Sequence, residues 1–226
     1  MRIRSLARSH RRFLSAAIAF AAASGLCAPL GAVEKTLQND SFGGTGQVDC
    51  ILGQSFAEGE VAAARLTPAP TDYPFELLRI LILACPNGAQ ADLVVKVWED
   101  DGSSQDPGDL RYEEFFTLYG SDVALNEIDL SSFGIVISEG SIRVGVEYFF
   151  GAASTGITTD SDGHVSPQPN FIYATGPVPE GWYFADYFNV DGDWIIRAVI
   201  DANEAAPLFA DGFESGDTGA WSATVP

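Results

Sequence analysis

The sequence predicts an all-β protein, an antiparallel two-sheet β-sandwich or jelly roll, on three observations. Three segments alternate apolar and polar residues with period two, the repeat of a strand with one buried face. A longer segment, Phe75–Cys85, is apolar on both faces except at Glu76 and Arg79, as expected of a central strand covered on both sides. Helical periodicity is nearly absent, whereas Gly, Pro, Asp and Asn punctuate the chain at short intervals. Short antiparallel strands without helices bury their apolar faces by packing one sheet on another.

Residues 1–32 open with Arg2, Arg4, Arg8, Arg11 and Arg12 and no acid, continue as an apolar run from Phe13 to Leu26, and leave through small residues between Ala28 and Ala32. A basic start, a short apolar stretch and a small-residue exit predict a secretory signal peptide cleaved after Ala32. The run is too short to hold a permanent transmembrane anchor across a hydrocarbon core of about 30 Å. The expected location is therefore outside the cytoplasm: periplasm, outer cell surface or medium. The full chain has 12 basic and 31 acidic residues, a formal charge of −19; without the leader, seven bases face 31 acids, or −24. That charge repels nucleic acid and anionic membranes, and excludes a nucleic-acid partner. Cys27 falls in the leader, which leaves Cys50 and Cys85 as an even pair in an oxidising compartment and predicts one disulfide.

The β-sandwich domain is expected over residues 33–202. Weak strand signals at Asp49–Phe56 and Val61–Leu66 precede the apolar run 75–85. In Asp92–Trp98 the apolar face is Leu93, Val95 and Val97, with Lys96 opposite. Tyr112–Leu118 and Gly134–Ile137 are weaker. In Ser141–Tyr148, Ile142, Val144, Val146 and Tyr148 face one way, and Arg143, Gly145 and Glu147 the other. Asn170–Ala174 and Tyr183–Phe188 are weak, and Asp193–Ile200 closes the set with Trp194, Ile196, Ala198 and Ile200 on one face. Large loops are expected at 99–109, 152–168 and 175–181. Residues 203–226 read as a linker and a C-terminal tail, Phe209-Ala-Asp-Gly-Phe-Glu-Ser-Gly-Asp-Thr-Gly-Ala-Trp-Ser222.

Nucleophilic hydrolysis needs a base beside its nucleophile, and beyond the leader His164 is the chain's one histidine. No G-x-S-x-G, H-E-x-x-H or P-loop pattern occurs. Paired carboxylates define the alternative reading, a small secreted glycosidase-like hydrolase, but spacing along a β scaffold selects no pair. Calcium is the stronger chemical expectation, because hard cations take oxygen ligands from acid-rich turns opened by Gly. The candidate ligands are Asp100, Asp101 and Asp106 in one loop, Asp160 and Asp162 in a second, and Asp191 and Asp193 in a third. Asp-Gly steps are equally the signature of plain hairpin turns. The cluster Gly181–Trp194 supplies candidate carbohydrate-stacking rings, Trp182, Tyr183 and Tyr187. Trp182, Phe184 and Phe188 are expected on one face and Tyr183 and Tyr187 on the other, so only one set is open to a ligand.

The run Val97-Trp-Glu-Asp-Asp-Gly-Ser-Ser-Gln-Asp-Pro-Gly-Asp-Leu110, with Ser141-Ile-Arg-Val-Gly-Val-Glu-Tyr148 and Gly192-Asp-Trp-Ile-Ile-Arg-Ala-Val199, resembles the jelly-roll (galactose-binding-like) accessory modules of bacterial exported proteins. That resemblance implies a non-catalytic partner module. The tail, residues 209–222, is similar to a short C-terminal motif on exported proteins of Gram-negative bacteria, which implies recognition by export or surface-attachment machinery. The expected function is a secreted or cell-surface, non-catalytic binding or structural module, with calcium as a stabilising ion and carbohydrate or a cell-surface component as partner.

Overall fold

The computed structural model describes residues 33–44, 48–51, 55–86, 90–149, 156–165 and 168–202. The expected leader, Cys27 and the C-terminal tail lie outside these residues. Thirteen strands are formed among them: β1 (Val33–Leu37), β2 (Val48–Ile51), β3 (Val61–Leu66), β4 (Phe75–Ile82), β5 (Gln90–Asp100), β6 (Leu110–Tyr119), β7 (Asn126–Asp129), β8 (Val136–Ile137), β9 (Ser141–Glu147), β10 (Ile157–Asp160), β11 (Asn170–Ala174), β12 (Gly181–Phe184) and β13 (Ile196–Ala202). Helical content among these residues is confined to short 3-10 turns such as 70–72, 131–133 and 185–188, and no helix is long and apolar enough to cross a membrane.

The strands form a β-sandwich. One sheet runs β1-β13-β4-β7, with β8 also on β4; the other runs β12-β11-β3-β9-β5-β6; β10 and β2 make a small third pair. All strand pairings are antiparallel. The core lies between the sheets, where Leu77, Ile80 and Ile82 of β4 and Ile196, Ala198 and Ile200 of β13 meet Leu93, Val95, Val97, Ile142, Val144 and Val146. Each such Leu, Ile or Val contributes about 1.5–3 kcal/mol on leaving water. Cys50 of β2 is bonded to Cys85, just past β4 and 35 positions further along the chain. In the chain-entropy account this closure stabilises the fold by about 3–4 kcal/mol.

Four expectations need correction. β4 is central in its sheet, but only one face is fully buried; Glu76, Leu78, Arg79 and Leu81 are half-buried on the other. There Arg79 reaches Glu34 at 2.6 Å and Glu127 at 3.5 Å. Strand β12 stops at Phe184 instead of running to Phe188, because the 3-10 turn 185–188 follows and ends at Asn189 in the left-handed region (φ 57°). The stretch expected as one loop between 152 and 168 contains β10, whose four residues are all buried. The last strand begins at Ile196, not Asp193, although Trp194 is fully buried and bridges to Thr159.

Candidate functional site

The aromatic segment expected to bind divides between two faces of the six-stranded sheet. Antiparallel register sets Trp182 opposite Tyr173, Tyr183 opposite Ile172 and Phe184 opposite Phe171. Trp182 therefore lies on the outer face, where its ring meets Trp98 edge-on at 5.5 Å and Tyr173 at 5.4 Å. The Arg143 guanidinium sits 4.8 Å from the Trp182 ring and 3.8 Å from Phe171. Trp182 is thus half-buried and packed on Trp98, Tyr173 and Arg143.

Tyr183 points the other way, and the 3-10 turn folds Tyr187 back on it. The two rings stack at 5.1 Å with 27° between their planes, and Phe188 lies edge-on to both, at 5.6 and 5.1 Å. Phe188 thus joins Tyr183 and Tyr187 rather than Trp182, because the turn breaks the period-two alternation. Tyr187 is 60% exposed. Phe188 also lines a recess of about 400 Å³ with Phe56, Ile172, Pro177 and Val190. Its polar lining is Ser55, Asn189 and Glu60; Glu60, 7% exposed, accepts the Ala57 N–H at 2.8 Å and the Thr175 N–H at 3.1 Å. Those bonds hold the two wall loops in register, leaving an apolar recess beside an exposed tyrosine. Sequence reading missed Phe56 and Ile172 and set Phe188 on the Trp182 face, since the three come from separate strands and turns.

Two of the acidic loops meet. The Asp193 N–H donates to Asp160 Oδ1 at 2.7 Å, and Asp160 Oδ2 accepts the Ser41 N–H at 2.8 Å. Asp193 Oδ1 accepts Asn170 Nδ2 at 2.5 Å and its Oδ2 accepts the Val165 N–H at 3.1 Å. Burial pushes both carboxyls above the usual value; Asp162 adds to the effect at Asp160, and Asp160 adds to it at Asp193. Gly192 is required between them, because at φ +79° a Cβ there falls 1.8 Å from the Asp160 carbonyl oxygen. The His164 ring nitrogens lie 3.8 Å from Asp191 and 3.9 Å from Asp193, with Asn170 at 3.4 Å, a set without a Ser, Thr or Cys side chain.

The third acidic loop is a staple. Asp100 Oδ2 meets Arg143 Nε at 2.8 Å, Arg143 Nη2 at 2.6 Å and Arg65 Nε at 3.0 Å, while Oδ1 accepts the Gly102 N–H at 2.8 Å. Arg143 Nη1 and Arg65 Nη2 donate to the carbonyls of Gln105 and Ser104, at 2.6 and 2.9 Å. The loop is thereby drawn over the outer face, and Arg143 is fully buried beneath it, its pKa brought down to about 10 by desolvation against the opposing pull of Asp100. Two guanidiniums around Asp100 repel a further cation. Asp101 is turned to the Ser103 N–H and hydroxyl, and Asp106 is exposed. Among the described residues no group of three or more His, Cys, Asp or Glu side chains is arranged to hold a metal ion.

Comparison with protein-family models, with curated proteins and with solved structures finds no match to this chain.

Proposed function

We propose that this chain is an exported, non-catalytic β-sandwich module that binds carbohydrate at the Tyr183–Tyr187–Phe188 corner. The observation that carries this reading is the exposed Tyr187 ring, stacked on Tyr183 and continuous through Phe188 with the 400 Å³ recess. An exposed, braced aromatic offers a flat apolar surface to a pyranose face, and the recess admits a ring substituent. The disulfide supports export, since such bonds persist in oxidising compartments. Resemblance to jelly-roll accessory modules agrees with a binding role. The non-catalytic reading is supported by the engagement of the two buried carboxylates, Asp160 and Asp193, with N–H donors that fix the loops. The glycosidase alternative needs such a pair open to substrate.

Protein recovered from the culture medium, expected to begin at Val33, is applied to a glycan array. Tyr187→Ala is expected to remove binding while leaving the melting temperature within a degree or so, because an exposed ring contributes little to stability. A flat array for the unaltered protein at high concentration overturns the reading.

Calcium belongs to this reading where the loops of Asp160 and Asp193 meet, with Asp162 and Asp191 on the same two loops as further oxygen donors that would have to turn inward. Ion binding there requires side chains to turn from their present N–H partners. A melting temperature several degrees higher in calcium than in EGTA is the expected result, the size of shift that binding to the folded state alone produces. Identical melts remove calcium from the reading.

A further inference from the structure

The six-stranded sheet ends on the side opposite β12 in β6, whose one strand neighbour among the described residues is β5. An edge strand carries a row of backbone N–H and C=O groups open to a further strand, and proteins commonly guard such edges with Lys, Pro or a covering loop. The ten residues of β6 contain neither Lys nor Pro. Asn126 closes only its end, accepting the Tyr119 N–H at 2.8 Å and donating to the Tyr119 carbonyl at 3.0 Å. Among the described residues, the stretch left without a second strand neighbour is therefore 111–118.

Beside it the outer face carries an apolar and acidic surface. Phe115 is 56% exposed and meets Phe149, 39% exposed, edge-on at 5.1 Å. The two rings line adjoining grooves of about 370 and 460 Å³. The groove walls hold four carboxylates, Asp92, Glu113, Glu114 and Glu147, against one ammonium, Lys96. Lys96 already lies between Glu147 at 2.5 Å and Glu113 at 3.2 Å. The surface is thus negative overall. Register orders it into rows that run across the sheet and out over the β6 edge: Lys96 with Glu113, Val94 with Phe115, Asp92 with Thr117. A row in which Lys96 partly offsets Glu113, an apolar row and an acidic row follow one another at the two-residue spacing of a strand face.

We propose that β6 is a docking edge for an extended, positively charged segment of another protein, which adds as a strand and presents a cation, an apolar residue and a second cation at alternate positions. Such a strand sets its cations beside Glu113 and Asp92 and its apolar side chain against Phe115, while main-chain bonds to 111–118 supply sequence-independent affinity. Charge chooses the occupant. A second copy of this chain brings Glu113 and Glu114 of both edges together, between bodies that each carry a formal −19.

The test uses the whole chain and a blocked seven-residue peptide with Lys second and sixth, Phe fourth and Thr elsewhere. Two controls carry Glu for both Lys, or Pro at the third and fifth positions to remove backbone donors. The parent peptide is expected to bind with a salt-dependent affinity and to slow amide exchange across 111–118. Binding should weaken roughly ten-fold or more in Phe115→Ser and in Glu113→Lys, both exposed sites whose melting temperatures should hold, and with each control peptide. A parent peptide that does not bind at millimolar concentration overturns the proposal, as does undiminished binding by both variants. Equal binding of the proline control shows charge attraction without strand addition and also overturns it. Dimers with 111–118 protected in the absence of peptide identify a second copy as the occupant instead.

Discussion

At the scale of single residues, the same chemistry has opposite worth in different surroundings. Arg79 pairs with Glu34 and Glu127 in water, where screening and side-chain entropy leave little net gain. Arg143 is fully buried between Phe171 and Trp182, and its guanidinium balances Asp100 and ties down the Gln105 carbonyl. Removing it leaves a buried carboxylate with Arg65 alone and opens the loop. Arg143→Ala is expected to cost about 3–5 kcal/mol in urea unfolding. The companion Arg79→Ala is expected to cost less than about 1 kcal/mol. Equal losses would show that the loop staple contributes no more than a surface pair. In the sequence Arg143 reads only as the wet face of an alternating strand. Nothing local reveals that a loop forty residues upstream folds over it.

At the scale of elements, β12 and the turn after it decide which aromatic is structural and which is available. Segment 181–188 is rich in strand-favouring rings, so alternation predicts one continuous strand. The turn at Ala185, closed by a left-handed Asn189, breaks that alternation and gathers Tyr183, Tyr187 and Phe188 into one corner. Trp182→Ala removes contacts with Trp98, Tyr173 and Arg143 and is expected to cost about 2–3 kcal/mol, somewhat less than a fully buried aromatic. Thermal or urea unfolding beside Tyr187→Ala, expected within about 0.5 kcal/mol, checks the division. Val61–Leu66 and Asn170–Ala174 were legible to the residue because β-branched or small apolar side chains sit between clear turn signals. β10 was not legible. Its Ile-Thr-Thr-Asp is buried on both faces, with Thr158 Oγ1 donating to the Leu83 carbonyl at 2.8 Å, so polarity there signals a satisfied interior and not a loop.

At the scale of the whole molecule, acidity shapes the response to pH. Unfolded aspartates titrate near 3.8, whereas Asp160 and Asp193 hold protons to higher pH in the folded state. Over the window from 3.8 up to those raised values the folded state binds more protons, so this pair's contribution to stability grows as pH falls. Asp72, held below its ordinary value chiefly by the Lys35 hydrogen bond, acts oppositely: its contribution is present above 3.8 and is lost as pH falls below it. The melting temperature is therefore expected to rise as pH falls through the raised values of the pair towards about pH 4, and to fall below about pH 4. A shallower rise in Asp193→Asn would tie the first limb to the pair, and a steady decline across the upper range would contradict it.

The sequence by itself determined the fold class and the disulfide partners, because period-two burial and an even pair of cysteines are local or compositional properties. It also named the acids and rings from which any site must be built. Alternation already set Trp182 against Tyr183 and Tyr187, but the rest of the grouping was decided by the folded structure. A turn moved Phe188 from one set to the other, and long-range pairing committed Asp100 to two arginines while bringing Asp160 against Asp193. The contacts of Asp160 and Asp193 span 23 to 119 positions, and no local pattern encodes a contact at that distance.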